Sequence, residues 1–486
     1  MSLKRKATSG FLWTFGQQFS VQVINFIVQI ILARILLPND FGLIAMLSIF
    51  MSIGLTLMDG GFTSSLIRTS NADQKDYSTV FFINLINSLV IYIILFFTAP
   101  FISSFYNQPI LNSIIRVYAL TFIIRAFVAV QTTKLTKEMK FKVQMTMQIP
   151  SVVVGATIGI TMAYSGYGVW SIVWMNLIQS LLYSAQHWIR SGWYPSLIMD
   201  REKVKYHFGF GYKLTLSSLL NTVFNNIYNL IIGKFFSASQ LGFYNRADTI
   251  QKFPTLLVFN ALNRVTYPMF ASIQEDNIKL KSAYKKLMQQ VIFWIAPLMI
   301  FLGVIATPLL SFALTKKWLP AVPFFQILCI TGILFPLGNC NLQVLKVKGR
   351  SDLYLKIEVI KKIITSIAIV CALPFGIYGL LYCQVILSLI VFYINAHYSG
   401  PIIKYSPSEQ ITDVVPTITI AAITGFVVWL VDKWLVSFNL SDLPRVLFGG
   451  IEYLFIYIFI GYFIKLDALH EALNIISKIG GKNKFK

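Results

Sequence analysis

Six cations lie in or beside apolar stretches of this sequence: Arg116, Arg125, Lys213, Arg246, Lys252 and Arg264. A guanidinium can hold phosphate or carboxylate oxygens through two parallel hydrogen bonds, whereas an ammonium acts on them as a point charge. An Arg at the centre of a bilayer costs about 3 kcal/mol even on the lenient insertion scale, so it must meet water, an acid or an anionic ligand. Arg125 is the deepest, near the middle of its apolar segment and too far from either end to reach the surface cheaply. Arg116 precedes it by nine residues, which at about 100° per residue places the two on roughly opposite sides of a straight helix. Arg246, Asp248, Lys252 and Arg264 share a later segment, with Arg246 and Asp248 at its outer end, where a solvated rim is the simpler role. Lys213 lies at the inner part of the segment before it. If these cations converge, they form a basic path from Arg246 and Lys252 outside, past Arg125, to Arg264 and Lys213 inside. The competing role is structural: a guanidinium tied to neighbouring carbonyls or an acid.

Acids within apolar segments are fewer. Asp59, in Met58-Asp59-Gly60-Gly61, and Glu452 are the candidates for coupling to a proton or sodium gradient. Glu358 is followed by Lys361 and Lys362 at i+3 and i+4, which points to local pairing. More deep cations than deep acids favours an anionic ligand. Enzyme signatures are missing. His187, His207, His397 and His470 make no HExxH or other metal spacing, and there is no Walker motif. Cys329, Cys340, Cys371 and Cys383 form no CxxC pair and read as small core residues. No enzyme activity, metal or resident cofactor is expected.

The elements that must position these residues are helices in a membrane. The 486 residues are 56% hydrophobic and 12% charged, against about 25% charged in soluble domains. Apolar runs of about 20 residues recur, each enough to cross roughly 30 Å of hydrocarbon. The runs do not alternate as barrel strands would. Fourteen spans are predicted, at about 11–35, 41–65, 77–98, 110–133, 143–164, 168–189, 209–233, 246–271, 287–312, 321–345, 357–376, 378–398, 411–431 and 444–464. The first follows Lys4, Arg5 and Lys6 and is too long for a signal-peptide core, so an uncleaved helix is expected. With the N-terminus inside, roughly 30 of the 41 Lys and Arg fall on the inner side and about 8 on the outer. That asymmetry predicts both termini in the cytoplasm. It also accounts for the net charge of +22 without nucleic acid as a partner.

The chain also repeats itself. Asn25–Gly42 and Asn225–Gly242 align at an offset of 200, matching Asn25 with Asn225, Arg34 with Lys234 and Gly42 with Gly242. Gln131 and Lys134 match Gln343 and Lys346 at an offset of 212, and Gly168 matches Gly379 at 211. Six helices per repeat is an even number, so the copies enter the membrane in the same direction and are related by an axis along its normal. The expected domains are an N-terminal six-helix lobe at 1–200, a second at 201–403, and two further helices with a basic cytoplasmic tail at 404–486. Pro254, Pro268, Pro297, Pro308, Pro323 and Pro336 mark expected kinks in the second lobe.

Three motifs carry a family resemblance. Leu32-Ala33-Arg34-Ile35-Leu36-Leu37-Pro38-Asn39-Asp40-Phe41-Gly42, Asp59-Gly60-Gly61-Phe62 and Leu241-Gly242-Phe243-Tyr244-Asn245-Arg246-Ala247 resemble bacterial polysaccharide-export flippases. These belong to the multidrug/oligosaccharidyl-lipid/polysaccharide exporter superfamily, and the similarity is strongest to the O-antigen and colanic-acid type. The resemblance implies two six-helix lobes in a V around a cavity, in the bacterial inner membrane. It implies that undecaprenyl-pyrophosphate-linked oligosaccharide is moved to the outer leaflet by alternating access, for O-antigen, capsule or exopolysaccharide. Membrane lipid would surround the chain, and polysaccharide polymerase and chain-length proteins would be its partners. No family motif assigns the deep cations individually. Two alternatives stay open: a cation-coupled drug antiporter of the same superfamily, and a membrane glycosyltransferase, polymerase or ligase acting on the same lipid.

Overall fold

The computed structural model describes residues 3–471, with the side chains of 3–15, 17, 18, 261, 263–265, 267 and 268 excepted. Lys4, Arg5, Lys6, Arg264 and Pro268 therefore fall outside the described side chains, and the basic tail at 472–486 falls outside the described residues. Helix α1 is Leu3–Ile35, α2 Pro38–Asp59, α3 Phe62–Arg68, α4 Gln74–Tyr106, α5 Ile110–Tyr118, α6 Leu120–Lys137, α7 Phe141–Tyr164, α8 Trp170–Arg190, α9 Arg201–Asn225 and α10 Ile227–Phe235. Then follow α11 Ala238–Ser272, α12 Asn277–Val304, α13 Ala306–Leu314, α14 Val322–Val347, α15 Ser351–Ala372, α16 Gly376–Ile403, α17 Pro407–Ser437 and α18 Asp442–Phe463. The described residues are all-helical, with no strand. Nine helical stretches among them are long and apolar enough to cross a membrane.

Several apolar runs are broken; Pro308 stands just after one break, at Ile305, and Pro323 opens α14, while other prolines set no break. Pro254, Pro297 and Pro336 lie inside continuous helices. Interruptions fall instead at Ala119, between α5 and α6, at Asn226, between α9 and α10, and at Ile305, between α12 and α13. The span expected to carry both Arg116 and Arg125 is one apolar stretch, Ile110–Lys137, with a single-residue turn at Ala119, itself in right-handed helical geometry (φ −64°, ψ −17°). Another break, between α2 and α3, is built by Gly60 and Gly61, both left-handed at φ 53° and 73°, a region costly for other residues.

By packing, the chain forms two compact units, Met1–Asn245 and Arg246–Lys486. This is a different property from the repeat, which was traced by internal likeness and divides near 200. In the first unit, Phe62, Leu66, Tyr77, Val80, Phe81, Ile83, Val130 and Trp193 form an apolar core among α3, α4, α6 and the segment after α8. That segment lies along the start of α4: Trp193 Nε1 donates to Gln74 Oε1 at 2.7 Å, and the Ser196 and Asp200 amides donate to Ser78 and Thr79. These bonds deliver α9 to the first unit.

The two copies of the repeated turn also meet within this unit. At the start of α2 the Leu37 amide donates to Asp40, three residues on, at 3.0 Å. At the start of α11 the Ser237 amide donates to Gln240 at 3.1 Å, the same position plus 200. A Cβ on Gly42 would collide with the backbone oxygen of Ala238, and one on Gly242 with that of Pro38. The contact is reciprocal, glycine on carbonyl, at matching positions.

The second unit holds α17 and α18 against α12. Phe293, Ile420, Val428, Tyr453 and Tyr457 pack together, and Lys281–Glu409 (2.9 Å) and Lys285–Asp413 (2.7 Å) pin α17 at one end. Asn341 and Gln410 exchange amide hydrogen bonds at 2.9 and 3.1 Å, with Ser399 donating to Asn341 at 2.6 Å. Being buried, these polar groups must be paired.

Candidate binding cavity in the first unit

The first unit contains an open cavity of about 480 Å³ among α2, α3, α6, α7 and α8. Its apolar wall is Leu55, Met58, Ile67, Val128 and Ala129; its polar wall is Thr63, Thr132, Thr133, Thr136, Gln148, Ser151, Gln179, Ser180 and Tyr183, together with Arg125. Helical spacing explains the lining. Arg125, Ala129, Thr132, Thr133 and Thr136 recur at three and four residues along α6 and so share a face. Gln148 and Ser151 do the same on α7, and Gln179, Ser180 and Tyr183 on α8.

Local bonds stiffen this wall. Thr133 and Thr136 hydroxyls donate to the carbonyls four residues back, both at 2.8 Å. Gln144 donates to the Thr132 carbonyl and the Thr136 hydroxyl, each at 2.9 Å, joining α7 to α6. Gln186 donates to Ser151 at 2.8 Å and joins α8 to α7. Arg125 stands apart from these pairings. It is exposed to the cavity and has no ion-pair or hydrogen-bond partner among the described residues.

The other sequence candidates are placed as follows. Arg116 donates from Nε to the Phe96 carbonyl at 3.4 Å and lies over the Phe96 ring at 4.5 Å, the structural role of a guanidinium tied to its neighbours. Lys252 pairs with Asp248 at 2.7 Å one turn back on α11. Arg246 is buried, 4% exposed. Lys213 is exposed beside the Tyr212 ring. Asp59 accepts from the Thr63 amide at 3.4 Å and so caps α3. Glu452 is half-buried on α18 with no ion pair among the described residues. Of the expected path, Arg125 and Lys213 belong to the first unit and Arg246 and Lys252 to the second. Among the described residues no group of three or more His, Cys, Asp and Glu is arranged to hold a metal.

Sequence reasoning weighed charges and passed over neutral groups. The threonine and glutamine wall was signalled by polar residues recurring every three to four positions inside apolar helices. A second omission is a buried polar chain. Ser65 Oγ lies 2.8 Å from His207 Nδ1, and His207 Nε2 lies 3.1 Å from Asp76 Oδ1. Lys203 reaches Asp76 at 2.9 Å.

Comparison with known proteins accords with this architecture. Residues 31–323 match the family described as polysaccharide biosynthesis protein. The teichuronic acid biosynthesis protein TuaB of Bacillus subtilis is 26% identical over 465 residues, covering 94% of this chain and 96% of that one. The lipopolysaccharide biosynthesis protein WzxC of Escherichia coli is 26% identical over 376 residues, 76% of each chain. Among solved structures, the inward closed conformation of the lipid II flippase MurJ superposes with a TM-score of 0.73 at 14% identity, covering 93% of this chain and 99% of that one. An inward-facing multidrug transporter of the MATE family superposes at 0.61 with 17% identity, covering 79% and 96%. At those identities the likeness is one of fold. The match across more than half of the sequence places this chain in the polysaccharide biosynthesis protein family.

Proposed function

We propose that this chain is a flippase that carries lipid-linked oligosaccharide across the cytoplasmic membrane for surface polysaccharide synthesis. The observation that carries the reading is Arg125, an unpaired guanidinium facing a polar cavity inside an apolar helical protein. A cation of that kind, set within an apolar helical protein and open to a cavity, is matched by a group such as the pyrophosphate of a polyprenyl-linked glycan. The hydroxyl and amide wall around it suits sugar hydroxyls, which need donors and acceptors of modest strength. Relatives support the reading by their names: the teichuronic acid and lipopolysaccharide biosynthesis proteins, and the succinoglycan biosynthesis transport protein ExoT of Rhizobium meliloti, 23% identical over 338 residues.

In this reading fourteen helices span the membrane as two parallel six-helix repeats in a V, with α17 and α18 outside the repeat and both termini cytoplasmic. The repeats rock about the cargo, and no bond is made or broken. Asp59 and Glu452 are the acids available for proton or sodium coupling. The remaining cations of the path, Arg264 included, would act once the two repeats face one cavity. Polymerase and chain-length proteins would receive the product.

The test is complementation of a glycan-export mutant, with Arg125→Ala, Lys252→Ala and Arg264→Ala alongside. Loss of export in Arg125→Ala at normal expression supports the reading; undiminished export by all three removes the cation path. Sugar transfer by the purified protein, dependent on one of its own acids, would replace flipping with a glycosyltransferase, polymerase or ligase. Cation-driven drug efflux would replace it with an antiporter.

A further inference from the structure

We propose that the His207 end of α9 is a movable element, latched to α3 and α4 through Asp76, and that the latch opens during the transport cycle. The second half of this statement rests on the flippase reading; the first stands by itself.

Helix α9 runs for 25 residues, yet the residues it buries are His207 and Gly211. Tyr206, Phe208, Tyr212, Leu214, Leu216 and Leu220 on the same helix are exposed. A core helix buries a continuous apolar stripe; this one is held at its His207 end by two fastenings a turn apart, with Val204 packed on the apolar core of α3 and α4 and, further along, Thr222 lying 3.4 Å from Thr56 of α2. The first is polar. The His207 ring, fully buried, bridges Ser65 of α3 (2.8 Å) and Asp76 of α4 (3.1 Å). Asp76, 1% exposed, also receives Lys203 of α9 at 2.9 Å and the Asp73 amide at 2.9 Å. The second point is bare backbone. Gly211 rests on the left-handed Gly60-Gly61 turn, and a Cβ on Gly61 would lie 2.6 Å from the Gly211 oxygen.

Such a fastening can be undone and remade. Most of its polar bonds converge on one carboxylate, and hydrogen bonds to a charge are stronger than those between neutral groups. Asp76 sits in the first turn of α4, beside Lys203 and Asp73, which are 31% and 54% exposed, so water can replace the partners when α9 departs. Other ionised groups near this end include Asp200, one turn before Lys203, Lys137, which donates to the Leu66 and Thr69 carbonyls of α3 and after it, and Arg68 of α3, whose guanidinium lies 4.6 Å from the Phe210 ring. Latched, Asp76 and Lys203 neutralise each other, and opening separates them in water instead of in the core.

Two arms test this in protein whose four native cysteines are replaced by alanine. In the first, Asp73→Cys with Lys203→Cys is joined by a short bis-thiosulfonate reagent and reopened with reductant. Export that stops on linking and returns on reduction supports the proposal. Export at the unlinked rate by fully linked protein overturns it. The second arm needs no cargo: the purified chain in nanodiscs carries Ser65→Cys as a reporter, buried while the latch is closed. Its labelling by a small thiol reagent should quicken roughly tenfold when Asp76→Asn is added, the effect of about 1.5 kcal/mol. Equal rates overturn the latch. If the unmodified chain supports no export at all, the flippase reading fails and the labelling arm alone decides.

Discussion

Replacing Arg125 by Gln separates a ligand-binding role from a structural one. The guanidinium has no partner among the described residues, so its loss breaks nothing inside the fold. It also removes a charge that costs about 3 kcal/mol at the bilayer centre. Thermal stability should therefore hold or rise. Binding should move the other way. Two charge-assisted hydrogen bonds at about 1.5 kcal/mol each make roughly 3 kcal/mol, or a loss of about 150-fold in affinity. Arg125→Lys keeps the charge but loses the fork and should fall roughly tenfold. The assay is calorimetric titration of nanodisc-embedded protein with inorganic pyrophosphate at low and at high salt. Native-like pyrophosphate binding by Arg125→Gln would refute the assignment. So would a collapse of its melting temperature, which would make the side chain structural.

Other perturbations test the frame. Gly242→Ala places a methyl on the Pro38 carbonyl and should cost about 3 kcal/mol, the upper end for overpacking; the melting temperature in detergent reads it, and an unchanged value would place the two turns further apart. Asp432→Ala takes from Arg445 of α18 its bidentate partner, held at 2.9 and 2.8 Å in a pair only 11% and 13% exposed, and leaves it the single contact with Asp442 at 3.3 Å. Its loss should cost about 3 kcal/mol, largely recovered by Asp432→Leu with Arg445→Met. Burial holds the His207 imidazole below its ordinary value of 6.5, against the opposing pull of Asp76. The docked state therefore favours neutral His207. Docking should be pH-independent above about 7.5 and weaken as pH falls below 6.5, where the undocked ring takes a proton first. The melting temperature of the native chain should show this acid-side decline, and that of His207→Gln should lack it.

Much of the helical frame was legible in advance because apolar runs and charge asymmetry are local signals. The likeness of the two turns at Gly42 and Gly242 was legible too, since they are spelled alike. What escaped was long-range. Ser65, Asp76 and His207 come from three separate segments, and each alone reads as an ordinary polar residue near a helix end. The breaks at Ala119 and Asn226 carry no proline or glycine, unlike the one at Ile305, which lies between Gly303 and Pro308, while Pro297 and Pro336, which do look like breakers, are absorbed by continuous helices. Arg125 was found as a deep charge, and its neutral company was not, because hydroxyls and amides do not stand out against an apolar background as charges do.

The reciprocal glycine crossing has a genetic consequence. The obstacle to a side chain at either position is the main chain of the other copy, so no second substitution on the same turn can make room for it. In a saturation-mutagenesis map, positions 42 and 242 should each tolerate glycine alone, and double replacement should be worse than either single one. Two sites 200 residues apart would then behave as a single locus, inherited as a pair and lost as a pair.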